Sequence, residues 1–329
     1  MFHMRRREFL TLLGGAAAAL PLAARAQQPG MPVIGYLSTL SEAQGLHLLT
    51  AFRRGLGEVG FAEGHNLEIE FRWAEGRFDR LPAMAAELIR RPVNLLLAQA
   101  PPAALAAKSA TATIPIVFVV GFDPVASGLV ASLNRPGGNA TGMTLMSLPI
   151  GEKRLEMLRE LAPKSSVIAM LVNPMTPDAV PEIGSVQAAA QSLGLQLRMF
   201  NASTPSEINA AFAAIAEQRL GALLVGTDPF FVDRRTELVA RAAQLRVPAI
   251  YPFREFVAAG GLVSYGSNIA NAYRQAGIYA GRILRGAKPA DLPVMQPATF
   301  ELVINLRTAS TLGIEISAAL HARSDEVIE

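Results

Sequence analysis

An alternation of short apolar runs with amphipathic segments, completed once and then begun again, leaves this 329-residue chain few folds to choose from. Val33-Ile34-Gly35-Tyr36-Leu37-Ser38 is apolar until its end, the pattern of a strand buried on both faces of a parallel sheet. Leu46, Leu49, Phe52, Leu56 and Val59 then recur every three or four residues, which predicts an amphipathic helix. Strand patterns follow at 67–73, 93–98 and 114–120, with helical patterns at 78–91 and 102–111. The cycle restarts at 167, with strands expected at 167–172, 195–200, 221–226 and 248–253 and helices at 178–193, 205–219 and 233–246. Strand–helix–strand order of this kind builds a parallel sheet covered by helices on both faces.

The chain is also longer than one hydrophobic core comfortably serves, so the expected fold class is α/β, with two doubly wound, Rossmann-like lobes. Elements remain after two such sheets: a strand at 262–265, a helix at 273–285, a proline-rich stretch at 289–297, a strand at 300–304 and a short helix near 308–313. Leftover elements of this kind cross back between lobes. Crossings near 143–149, 264–270 and 288–298 would form a three-segment hinge. Lobe 1 is then expected to take 31–145 plus 266–290, and lobe 2 to take 146–265 plus 291–329.

Residues 1–26 have another character. Arg5-Arg6-Arg7-Glu8-Phe9-Leu10 supplies a basic start and a twin-arginine pattern, Leu10 to Leu22 is apolar, and Ala24-Arg25-Ala26 offers small residues for cleavage. An export signal peptide is expected here, giving a soluble, periplasmic mature protein. The leader also explains the formal charge of +3, because outside it 26 basic side chains balance 26 acidic ones. A neutral body lacks the footprint that nucleic acid requires. With 51% hydrophobic and 17% charged residues the chain is not disordered, and with no cysteine it has neither disulfides nor thiolate chemistry.

In open parallel sheets the site lies beyond the carboxyl ends of the strands. The residues found there are Ser38 and Thr39, Gln99, Asp123, Asn173, Asp228 and Tyr251, most of them next to a proline or a helix start. Two readings stay open for each. Ser, Thr, Asn and Asp before helices are ordinary caps. As a set at equivalent strand ends of two halves, they would instead line one cleft. A carboxylate such as Asp123 or Asp228 would then meet a ligand ammonium, and helix N–H groups after Ser38 or Asn173 a ligand carboxylate, which suits an amino acid. Catalysis has less to work with. The sequence carries no nucleophile elbow, no P-loop and no zinc motif, and its four histidines are dispersed. No cofactor or metal is expected.

Leu171-Val172-Asn173-Pro174, Thr227-Asp228-Pro229-Phe230-Phe231, Tyr251-Pro252-Phe253-Arg254-Glu255-Phe256, Gly260 to Gly266 and Phe300 to Asn305 resemble blocks of the substrate-binding proteins of ABC transporters, more narrowly of the tryptophan-binding-protein-like family. The resemblance covers nearly the whole mature chain. It implies a type I periplasmic-binding-protein fold with three crossovers, capture of a small solute between the lobes, delivery to a membrane permease, and no enzymatic activity. A monomer is expected. The alternatives are an exported α/β enzyme acting on a small metabolite, or a subunit presenting ligand to a membrane sensor.

Overall fold

The structure is a computed structural model that describes residues 30–145, 148–176, 179–297 and 299–329. The leader at 1–26 lies outside the described residues. The first half runs β1 (Val33–Ser38), α1 (Glu42–Glu58), β2 (Glu68–Trp73), α2 (Leu81–Ile89), β3 (Leu95–Gln99), α3 (Ala100–Ala110), β4 (Ile116–Val120) and β5 (Ala140–Thr144). Its five strands pair in parallel in the order β2-β1-β3-β4-β5. The apolar runs of β3 and β4 are buried throughout, as central strands demand. By contrast β2 alternates Glu68, Glu70 and Arg72 with Ile69, Phe71 and Trp73, and it takes the edge.

The second half repeats the winding. It continues with α4 (Leu148–Leu161), β6 (Val167–Val172), α5 (Ala179–Ser192), β7 (Gln196–Asn201), α6 (Pro205–Glu217), β8 (Leu223–Val225), α7 (Pro229–Asp233), α8 (Arg235–Gln244), β9 (Ala249–Tyr251), α9 (Arg254–Ala258) and β10 (Val263–Ser267). Then follow α10 (Ile269–Leu284), β11 (Phe300–Asn305), α11 (Leu306–Leu312), α12 (Ala318–Ala322) and β12 (Glu326–Ile328). The sheet order is β12-β11-β10-β9-β8-β6-β7. From β7 to β10 this is the same 2-1-3-4-5 order as in the first sheet, so each half has one switch point beside its first strand. The exception to parallel pairing is β11, which runs antiparallel to β10 because the chain returns from the other lobe to reach it.

Three passages join the halves: after β5, after β10 and before β11. The second carries α10 away from its own sheet to lie on α1. Gly55 and Gly277 make that contact possible, because a Cβ would sit 1.9 Å from the Arg274 carbonyl oxygen at the former and 2.2 Å from that of Phe52 at the latter. On the third passage Met295 pairs with β5, its N–H donating to the Gly142 carbonyl and its carbonyl accepting from Thr144. A continuous cluster of buried apolar residues runs from Tyr36 and Phe52 through Tyr273 to Phe230 and Phe253, so the two halves meet across a shared surface.

Candidate functional site

At the first switch point β1 and β3 diverge, and the residues that end them are tied together. Ser38 Oγ, Thr39 N and Thr39 Oγ1 all donate to Gln99 Oε1, at 3.0, 2.8 and 2.7 Å. All three residues are buried. Three donors on one oxygen fix which way the amide faces, and its nitrogen is left to the hydroxyl of Tyr273, which hydrogen-bonds Gln99. Burial pushes the Tyr273 phenol well above its ordinary range, so it stays a neutral hydroxyl with a proton to donate. Directly after Gln99, Ala100 adopts a φ of 71°, a left-handed conformation that costs a non-glycine residue about 1–3 kcal/mol. Strain of that size is held only where the surroundings dictate it, and Ala100 stands in the wall of the cleft.

The second switch point is built alike. Asn173 follows β6 and Asp228 follows β8, and Asn173 Nδ2 donates to Asp228 Oδ1 at 3.2 Å. The same carboxylate oxygen caps α7, accepting from the N–H groups of Phe230 at 2.8 Å and Phe231 at 3.3 Å. Behind this loop lies a buried ion pair, Arg154 Nη2 to Glu182 Oε1 at 3.1 Å. Arg154 also donates to Thr227 Oγ1 at 2.9 Å and to the Val225 carbonyl at 3.2 Å, while Glu182 Oε2 accepts from Thr227 N at 3.0 Å. Burial raises the Glu182 carboxyl and lowers the Arg154 guanidinium, each opposed by the other's charge.

Between the two switch points lies a cavity of about 430 Å³, its open mouth included. Gln99 and Asp228 line it from the two sides, with Leu145, Phe253, Ile269 and Tyr273 supplying apolar wall. Asp228 is the one charged residue of the lining; no lysine, arginine or histidine among the described residues joins it.

The residues singled out from sequence thus fall into three groups. Gln99 and Asp228 face the cavity. Ser38, Thr39 and Asn173 stand behind them as hydrogen-bond partners. Asp123 and Tyr251 lie elsewhere. Asp123 is exposed and its Oδ1 accepts from Val125 N at 2.8 Å and Ala126 N at 3.2 Å, which is the work of a turn. The Tyr251 ring is buried in a stack on Phe256, centroids 4.9 Å apart. The Ser41 N–H that opens α1 is taken by Asp233 of the other half, at 2.9 Å. Leu145 follows β5, a strand whose sequence lacks an apolar pattern, and Ile269 and Tyr273 belong to α10, beyond the end of β10, so all three escaped the sequence reading; the signal for Tyr273 was a hydroxyl on an otherwise apolar helix face just past a crossing.

Comparison with known proteins agrees with this geometry. The family of ABC transporter substrate binding proteins matches residues 37–328. A tyrosine-binding protein of Clostridioides difficile (strain R20291) is 29% identical over 278 residues, 84% of this chain and 80% of that protein. Among solved structures, a conserved domain protein from Vibrio cholerae superposes with a TM-score of 0.83 at 28% identity, covering 90% of this chain and 99% of the other. An ABC domain from Streptococcus pneumonia in complex with L-Trp gives 0.81 at 26% identity and the same coverage. The ligand-free, open form of a substrate-binding protein with adhesive properties from Clostridium difficile gives 0.63 at 25% identity, again with the same coverage. At nearly equal identity, the arrangement of this chain is nearer to the L-Trp complex than to the open form. Matched over almost all of its two-lobed body, the chain belongs to the ABC transporter substrate-binding proteins, which bind a small solute and deliver it to a membrane permease.

Proposed function

We propose that the solute is an α-amino acid with a large apolar or aromatic side chain, held between the two switch points. One observation carries this reading: a single carboxylate, Asp228, stands in a cavity otherwise walled by uncharged and mostly apolar residues. A lone carboxylate selects a cationic group, and in a site shielded from water the pairing gains weight. The ligand ammonium is assigned to Asp228 and its side chain to the space between Phe253, Ile269 and Leu145. The ligand carboxylate is assigned to hydroxyl donors, with Tyr273 foremost because Gln99 fills its acceptor side. Ser38, Thr39 and Asn173 act by orienting Gln99 and Asp228. Relatives that bind tyrosine or were solved with L-Trp support the choice of class. The twin-arginine leader supports export to the periplasm, and the lobe boundaries proposed with this reading are 31–145 plus 266–290 and 146–265 plus 291–329.

The test is calorimetric titration of the mature protein with L-Tyr, L-Trp and L-Phe, beside analogues lacking the amino group. At least one of the amino acids should bind, and its deaminated analogue should bind at least about a hundredfold more weakly, since it brings no positive charge to the buried carboxylate of Asp228. Asp228→Asn should weaken the amino acid by a similar factor. Equal affinity for the deaminated analogue would remove Asp228 from its role.

A further inference from the structure

We infer that Ser41 and Asp233 form a latch between the lobes that sets how tightly the cleft holds its solute, although neither residue lines the cavity. Ser41 is the N-cap of α1, a position where a serine hydroxyl usually accepts from the first turn of its own helix. Here it makes no such bond. Its hydroxyl and its backbone N–H both donate instead to Asp233 Oδ1 of the other half, at 3.1 and 2.9 Å. The carboxylate thereby sits at the positive end of a 17-residue helix, where negative charge is favoured. Its second oxygen is held by Arg234 Nη1 at 3.3 Å, and the Arg234 guanidinium lies 4.1 Å above the Phe230 ring. Arg234 in turn presses on the first half at Gly76, where a Cβ would stand 2.9 Å from Nη1. Nearly two turns further along α1, His47 Nε2 comes within 3.6 Å of Glu255 Oε1, also across the lobes.

The position of the latch connects it to the cavity. Asp233 ends α7, the five-residue helix that Asp228 begins. A solute that seats Asp228 therefore also sets the far end of the same rigid turn, where Asp233 meets Ser41. This step rests on the proposed role of Asp228. Bonds between lobes exist only when the lobes are together, so they raise the fraction of molecules in the closed state, and apparent affinity scales with that fraction.

The experiment uses the mature protein and whichever of L-Tyr or L-Trp the native protein binds. Asp233→Ala should raise Kd about tenfold, the worth of a charge-assisted hydrogen bond pair, with the change in the dissociation rate. Ser41→Ala should do less, since its N–H remains, and Asp233→Asn should fall between Asp233→Ala and the native protein. The melting temperature of the ligand-free variants should stay at the native value, which a merely structural role would not allow. A Kd for Asp233→Ala within twofold of native would overturn the latch. If the native protein binds neither amino acid, the ligand reading has failed, and the latch is tested without ligand. The chain has no cysteine, so His47→Cys/Glu255→Cys reports closure alone through its rate of cross-linking by a short bis-maleimide, which spans the gap that two shortened side chains leave and a direct disulfide would not. Adding Asp233→Ala should slow that rate about tenfold, by the same affinity-to-population link; an unchanged rate would overturn the latch.

Discussion

At the scale of single residues, the cavity wall depends on charges that never reach the solute. Thr227 is held on both sides, by Arg154 at its hydroxyl and by Glu182 at its N–H. Removing one partner of a buried ion pair strands the other charge and typically costs about 3–5 kcal/mol. Arg154→Met should therefore destabilise the protein by about that amount at pH 8 and weaken solute binding as Thr227 loosens. Without Arg154, only the hydrogen bonds from Thr227 still oppose burial at Glu182, and its carboxyl rises further above the ordinary 4.5. A group whose folded value is raised stabilises below its unfolded value and loses that stability as pH rises through the folded one. The deficit of the variant should accordingly shrink from pH 8 to pH 5, which melting curves across that range would read; a deficit independent of pH would contradict the assignment. Sequence made Gln99 and Asp228 visible because strand ends can be located from hydropathy. It could not separate the cavity residue from the partner behind it, since Ser38, Thr39 and Asn173 occupy equivalent positions in the pattern. Asp123 shared that pattern and caps a turn, which the local residues Val125 and Ala126 decide.

At the scale of elements, the strands that were legible are those made of large apolar residues. Ala140–Thr144 forms a fully buried strand, yet it reads Ala-Thr-Gly-Met-Thr and offers a single large apolar side chain, so periodicity passes over it. The short β12 and the helix α4 went unassigned for similar reasons: three residues carry little pattern, and Lys153, Arg154, Glu156 and Arg159 crowd the helical stretch with charge. The destination of α10 was also hidden, since its apolar face says that it packs but not on what. Its glycine contact with α1 has a measurable weight. Gly277→Ala places a methyl group 2.2 Å from the Phe52 carbonyl oxygen, so the helices must part, at a cost of at least about 1–3 kcal/mol. The midpoint of urea unfolding should fall accordingly, with an unchanged slope; an unchanged midpoint would mean that the two helices are not in this contact.

At the scale of the whole molecule, one winding order used twice gives two switch points, and three passages of chain let them face each other. Each is finished by the same device, a side chain from the first strand end bonded to one from the third: Ser38 and Thr39 to Gln99, Asn173 to Asp228. The account stands on the solute lying between those two pairs. A crystal structure of the mature protein with its bound amino acid tests this most directly. The prediction is an amino group within hydrogen-bonding distance of Asp228 and a side chain against Phe253 and Ile269; a solute bound outside this cavity, or one turning its carboxylate to Asp228, would contradict it.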